Sequence, residues 1–230
     1  MAYEIILLDA DDTLYDFGKA MEKALEKLFN YYGIGYTAEN VNVYKKHNRI
    51  SWDMFERGEI DKERLSTIRF ELFLDEMGLN HLSITEVNDR YISFLGEGTY
   101  LIDGAEEVCK SLSFERTLVI ATNGFEKSQM ARFSNSSIYP YIDYVAISEK
   151  IGYPKPDGRF FDYALNICGC TDKSKVIMIG DSLNADIKGG INYGIDTCWY
   201  NPHNTELPEG IRPTYIISDL KEILDIVGAL

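Results

Sequence analysis

Five short runs of apolar, largely β-branched residues constrain this chain more than any other feature: Ile5–Leu8, Thr117–Ala121, Tyr144–Ile147, Lys175–Ile179 and Ile195–Trp199. Each is bounded by Gly, Asp, Asn or Ser, as expected of strands buried on both faces. Between the later runs lie segments of helical length, Lys127–Phe133, Gly158–Cys168 and Asn184–Tyr193. Such alternation needs right-handed crossovers, and these put helices on both faces of a parallel sheet. The expected fold class is α/β: a Rossmann-like, doubly wound parallel sheet.

Residues 15–98 read differently. No convincing strand occurs there, and apolar residues recur at helical spacing, as in Met21, Leu25, Leu28 and Phe29, and again in Leu65, Ile68, Leu72 and Phe73. Gly33, Gly35, Gly58 and Gly78 punctuate the stretch as helix ends. We expect four or five helices inserted after the first strand, with residues 1–14 and 99–230 forming the α/β core. Open α/β sheets bind ligands at the carboxyl ends of their strands, so the insert is expected over that end of the first one.

The 230 residues carry 23 Lys and Arg against 37 Asp and Glu, a formal charge of −14. That balance argues against nucleic-acid polymers and anionic membranes as partners, yet leaves room for a small phosphorylated metabolite beside a local cation. No apolar stretch approaches the roughly 20 residues of a membrane span. The first residues lack the basic and long apolar regions of a signal peptide. Cys109, Cys168, Cys170 and Cys198 match no common zinc spacing, and we expect reduced thiols in a cytoplasmic protein. The pattern does not address the oligomeric state.

Four polar clusters carry the chemistry. Asp9-Ala10-Asp11-Asp12-Thr13 follows the first run, Thr122-Asn123-Gly124 the second, and Lys155-Pro156 lies beyond the third. Gly180-Asp181-Ser182-Leu183-Asn184-Ala185-Asp186 follows the fourth. In a parallel sheet these ends converge on one edge. Asp9 and Asp11, two apart in extended chain, point to the same side. Two close carboxylates need a cation or a shared proton. With Asp181 they make an all-oxygen site suited to Mg²⁺, and no His or Cys accompanies them to favour zinc. Thr122 and Lys155 supply a hydroxyl and a cationic donor for a phosphate, and Asn123-Gly124 a turn beside it. An aspartate can then attack phosphorus to form an aspartyl phosphate, while a second carboxyl group shuttles the proton.

In this order the four clusters resemble the haloacid dehalogenase-like hydrolase superfamily, in the subclass with an α-helical cap after the first motif. The resemblance implies Asp9 as nucleophile and Asp11 as general acid/base. It implies Mg²⁺ held by Asp9, the Asp11 carbonyl and Asp181, with phosphate on Thr122, Asn123 and Lys155. Asp186 would support the metal or orient Lys155. Dehalogenases of the superfamily lack an acid at the place of Asp11, so its presence favours a phosphatase. Asp12 stands where many relatives have Gly. A closer resemblance is to cytoplasmic 5′-nucleotidases acting on pyrimidine nucleoside monophosphates. It is carried by Trp52-x-x-Phe55-Glu56-x-Gly58, Thr122-Asn123-Gly124, Gly180-Asp181-Ser182-Leu183-x-Ala185-Asp186-Ile187-x-Gly189-Gly190 and Cys198-Trp199-x-Asn201-Pro202.

Within the insert, Trp52 and Phe55 share a helical face, either as packing or, for Trp52 with Asn48, as contacts to a nucleotide base. His47, His81 and His203 lack metal-like spacing. A sugar-phosphate or broad-specificity phosphatase is the alternative to a nucleotidase; a 2-haloacid dehalogenase or an inactive binding protein is more distant. A receiver domain is disfavoured by the motif order and the large insert. Neither Gly-x-Gly-x-x-Gly after a strand nor Gly-Lys-Ser/Thr occurs, which disfavours dinucleotide and P-loop enzymes.

Overall fold

The computed structural model describes residues 3–228. They divide into two compact units: residues 3–17 with 99–228, and Gly18–Gly98. The chain opens with β1 (Ile5–Leu8) and passes into four helices, α1 (Phe17–Tyr32), α2 (Ala38–Glu56), α3 (Lys62–Glu76) and α4 (Ile84–Leu95). The α/β unit resumes with α5 (Ala105–Leu112), β2 (Thr117–Thr122), α6 (Glu126–Ser134), β3 (Tyr144–Ile147), α7 (Ser148–Ile151) and α8 (Gly158–Ile167). It ends with β4 (Val176–Gly180), a π-helical turn at Leu183–Lys188, α9 (Gly189–Tyr193), β5 (Asp196–Tyr200), β6 (Tyr215–Ile217) and α10 (Glu222–Val227).

The six strands form one parallel sheet in the order β3-β2-β1-β4-β5-β6. Ile5 to Leu8 lie opposite Thr117 to Ile120 on one side and Val176 to Ile179 on the other. The chain builds outward from β1 to β3, then crosses back to place β4 on β1's free side. The strand order therefore reverses between β1 and β4, where doubly wound sheets open a crevice at the carboxyl ends.

Strand side chains alternate between two buried layers. Ile6, Leu8, Leu118, Ile120, Ile177 and Ile179 pack with Val108 and Leu112 of α5 and with Ile223 and Val227 of α10. Ile5, Leu7, Val119, Ala121, Val176 and Met178 pack with Phe160, Phe161, Ala164 and Leu165 of α8. With both faces covered there is no polar alternation to read, which is why these strands appear in sequence as continuous apolar runs.

The helical unit is capped by its own polar residues. Thr37, Asp61 and Ser83 begin α2, α3 and α4, their side chains accepting from the backbone N–H of Asn40, Arg64 and Glu86. Phe29 of α1 stacks on Phe73 of α3 with ring centres 5.5 Å apart. Buried Arg69 donates to Asn88 Oδ1 at 2.7 Å, and its guanidinium lies over the Tyr91 ring at 5.1 Å.

Some elements depart from the sequence expectation. Strand β6 and helices α5, α7 and α10 add to it. β6 is three residues long and half-exposed at an edge, too short for periodicity to mark. The expected helix at 184–193 is a π-helical turn followed by α9. The turn coincides with the Asp186 carboxylate reaching back to the Ser182 N–H at 3.0 Å. All four cysteines are free. Among the described residues, no helix is long and apolar enough to cross a membrane.

Helix α9 approaches the sheet so closely that a Cβ on Gly190 would lie 2.5 Å from Thr197 Cγ2. Gly190→Ala is expected to lower stability, because overpacking costs about 1–3 kcal/mol and outweighs the roughly 1 kcal/mol that Ala gains over Gly in a helix. Adding Thr197→Ser, which removes the opposing methyl, should recover most of the loss. Urea unfolding of the single and double variants measures both effects; an unchanged midpoint in Gly190→Ala would contradict this close approach.

Candidate active site

The strand ends place the polar clusters. Asp9 leaves β1 with its N–H still bonded to Ile179 O at 2.9 Å, so the carboxylate starts from the edge of the sheet at the point of reversal. Lys155 reaches it from the loop before α8. Its ammonium lies 2.6 Å from Asp9 Oδ1, 2.6 Å from Asp186 Oδ1 and 2.5 Å from Ala121 O. The side chain is 1% exposed. Three acceptors match the three donors of an ammonium, so the charge is buried with its hydrogen bonds satisfied. Lys155 is anchored in turn by Asn123: Asn123 Nδ2 donates to Lys155 O, and Lys155 N–H donates to Asn123 Oδ1, both at 2.9 Å. The Asn123 side chain, expected at phosphate, is thus engaged in holding the lysine loop.

Thr122 ends β2 and is buried. Its Oγ1 accepts from the Gly124 N–H and from Gln129 Nε2, both at 3.0 Å. With both lone pairs occupied, the capacity that remains is the hydroxyl proton, a donor suited to a phosphate oxygen.

Asp181 and Asp186 follow β4. Thr13 Oγ1 donates to Asp181 Oδ1 at 3.3 Å and accepts from the Asp181 N–H at 3.1 Å, while Trp199 Nε1 donates to Asp181 O at 2.9 Å. Asp186 is fully buried between Lys155 and the Ser182 N–H. Gly180 makes room for it, since a Cβ there would lie 2.2 Å from Asp186 Oδ2. Oxygens of Asp9, Asp181 and Asp186 lie within 4.8 Å of one another.

Three carboxylates around one ammonium leave negative charge in excess. The Asp9 carboxyl is raised to about 7, chiefly by burial, with Lys155 pulling it down and Asp186 and Asp11 pushing it up. Asp181 is raised well above the usual carboxylate range by burial, then by Asp9, Asp186 and Asp12. Burial acts to lower the Lys155 ammonium, but Asp186 and Asp9 outweigh it and the net shift is upward. An all-oxygen, over-charged set of this kind fits a hard divalent cation.

Asp11 faces other partners. Its Oδ1 lies 2.5 Å from Arg132 Nη1 and its Oδ2 2.7 Å from Gln129 Nε2. Asp12 has a positive φ of 59°, a conformation that suits Gly, and its Oδ1 accepts from the Phe17 N–H at 3.2 Å. Beside Asp181 lies a cleft of about 580 Å³ whose lining includes Asp12, Asp16, Asp103, Tyr200 and His203.

The sheet thus gathers Asp9, Asp11, Thr122, Asn123, Lys155, Asp181 and Asp186. Sequence reading missed Thr13, Gln129 and Arg132 as partners of these groups. Gln129 and Arg132 do carry a signal, being polar residues three apart on the helix that follows Thr122. The remaining two expected residues belong to the helical unit. Asn48 is buried there; its Oδ1 accepts from the Tyr44 hydroxyl at 3.4 Å, and Arg69 Nη1 lies 3.5 Å away. The Trp52 ring meets Phe55 edge-on at 5.7 Å and carries the Lys62 ammonium over its face at 4.5 Å. His47, also buried, pairs with Glu76 at 2.7 Å.

Comparison with known proteins shows the family. The model of the haloacid dehalogenase-like hydrolase family matches residues 3–194, and the chain belongs to that family of hydrolases. Among individual relatives, the chain is 34% identical to pyrimidine 5′-nucleotidase YjjG of Escherichia coli, covering 97% of each protein. It is 35% identical to pyrimidine 5′-nucleotidase PynA of Streptococcus pneumoniae over 98% of this chain and 95% of that one. The magnesium-bound crystal structure of the HAD-hydrolase YfnB from Bacillus subtilis superposes with a TM-score of 0.93 at 35% identity, covering 99% of both chains.

A carboxyl whose pKa is higher folded than unfolded binds its proton more tightly in the folded protein. Its contribution is then fully present below its ordinary value of 3.8 and is lost as pH rises through about 7. In chelator, stability should therefore fall between about pH 4 and pH 7 by up to about 1.4 kcal/mol per pH unit from this group. Asp9→Asn should flatten that dependence. Urea unfolding across the interval tests it, and identical slopes in the two proteins would show that Asp9 titrates normally.

Proposed function

We propose that this chain is a Mg²⁺-dependent phosphomonoesterase working through an aspartyl phosphate, with nucleoside 5′-monophosphates, pyrimidine ones preferred, as substrates. The observation that carries the reading is the pairing of Asp9, buried against Lys155, with a second carboxyl at Asp11 on separate partners. A nucleophile and a proton carrier are thereby kept apart on one strand end. The nucleotide preference is supported by the nucleotidase relatives, and the cytoplasm is the proposed location.

In the first step an Asp9 carboxylate oxygen attacks phosphorus and the bond to the leaving oxygen breaks. Asp11, as the acid, gives that oxygen its proton. In the second, Asp11 takes a proton from water as the water oxygen attacks phosphorus, which releases inorganic phosphate and restores Asp9. Thr122 donates to a phosphoryl oxygen, and Lys155 offsets negative charge beside the attacking carboxylate. Asp9, the Asp11 carbonyl and Asp181 would hold Mg²⁺, with Asp186 fixing Lys155 behind them. The ion supplies charge neutralisation for an anion meeting a phosphate dianion.

Phosphate release across nucleotides, sugar phosphates and small phosphomonoesters, with Mg²⁺ and with chelator, tests the reading. Nucleotides should lead, and activity should vanish on metal removal and return with Mg²⁺. A sugar phosphate in first place would overturn the nucleotide assignment alone. Asp9→Asn should remain folded and lose turnover; retention of a tenth of wild-type kcat, a barrier change of only about 1.4 kcal/mol, would remove Asp9 from the nucleophile role.

On the sequence argument alone, we also propose Asn48 and Trp52 as specificity residues. Stacking of a base on an aromatic ring is worth about 1–3 kcal/mol, so Trp52→Ala should raise KM for nucleotides roughly 5- to 150-fold and leave a minimal phosphomonoester little changed. A large fall in melting temperature, with both activities dropping together, would assign Trp52 to packing.

A further inference from the structure

Helix α6 presents two polar side chains, Gln129 and Arg132, that are 1% and 0% exposed. They are three residues apart and share one face, and between them they occupy both oxygens of Asp11. Arg132 is desolvated for this single carboxylate: among the described residues, Asp11 is the acid within ion-pair distance, while Nε and Nη2 make no hydrogen bond. Burying a guanidinium for one partner costs free energy that an apolar residue would avoid. Its orientation is fixed by the Tyr15 ring, 4.6 Å from the guanidinium carbon. Tyr15 is tied to the same turn, its carbonyl accepting from the Asp12 N–H at 2.8 Å, and its ring packs on Phe133. Gln129 is placed with equal economy of space. Its Nε2 bridges Asp11 Oδ2 and Thr122 Oγ1, and it fits because Gly124 has no side chain; a Cβ there would lie 2.0 Å from that nitrogen.

We propose that Gln129 and Arg132 are positioning residues for Asp11, a clamp that sets the direction in which its carboxyl meets the leaving oxygen and the attacking water. The Gln129 bridge also ties that direction to Thr122, so proton carrier and phosphate donor are set by one amide. This rests on the reading of Asp11 as the proton carrier. Neither side chain need touch substrate. The clamp acts only in steps that move a proton to or from Asp11, so its loss must be felt most where the leaving group needs protonation.

The test compares kcat/KM for the best alkyl phosphate of the substrate panel with that for p-nitrophenyl phosphate, whose leaving group needs little proton. The proteins are Arg132→Met, Arg132→Lys, Gln129→Met, Asp11→Asn and the Asp11→Asn doubles. Arg132→Lys keeps the buried charge and supplies a folded comparison if Arg132→Met is unstable; circular dichroism monitors folding. The alkyl-to-aryl ratio is expected to fall about 10-fold or more in Arg132→Met and Gln129→Met, a fraction of the 10²–10⁴ assigned to general acid catalysis. It should fall less in Arg132→Lys, and no further when either change is added to Asp11→Asn. Equal losses on both substrates in folded variants, or effects that multiply with Asp11→Asn, would assign the pair to structure alone and overturn the proposal. A ratio unchanged in Asp11→Asn itself would instead remove Asp11 as proton carrier, and the clamp with it.

Discussion

The Lys155 ammonium is the interaction on which the rest of the α/β unit's edge depends. A buried cation of this kind is tolerable only if every donor is met, and here the three partners come from three strand ends: Asp9 after β1, Ala121 in β2 and Asp186 after β4. Removing any of them would leave a charge or dipole unpaired at depth, where the cost is several kcal/mol. The surroundings reflect that demand. Asn123 holds the lysine's backbone from both sides, and Gly180 vacates the space that Asp186 fills.

The same contact sets the electrostatics. One ammonium cannot neutralise Asp9, Asp181 and Asp186 together, and the site is therefore strained toward taking up positive charge, either protons or a metal ion. Asp11 adds to the pressure on Asp9 but has a counter-charge of its own in Arg132. Two carboxylates two residues apart thereby acquire different surroundings, and such a difference is what allows paired acids to take different parts in one reaction.

Much of this was legible in the sequence. The central strands were visible because burial on both faces removes polar residues, and the polar clusters because each follows such a run. Thr13, Gln129 and Arg132 were harder to read for a physical reason. Their carboxylate partners are distant in sequence, and a buried polar side chain on a helix looks, in one dimension, like a solvent-facing one. Lys155 was visible beside Pro156, but its dependence on Asn123 was not, since that contact exists only once β2 and the α8 loop are adjacent. In the helical unit the contacts of Asn48 with Tyr44 and Arg69 were likewise not legible, since Arg69 lies on another helix.

Sequence separation gives the π-helical segment and its strand a role in assembly. Lys155 and Asp9 are 146 residues apart, and Thr13 and Asp181 are 168 apart. The acidic cluster cannot exist until β4 docks beside β1. Its mutual repulsion is therefore absent from any state in which β4 has not seated beside β1, and it is met when that strand docks. Non-local pairing of this sort is the slow part of folding, and here the docking step also concentrates like charge. A divalent cation or a lower pH would then ease the final closure of the sheet, making the site's own electrostatics a brake on the maturation of the fold that carries it.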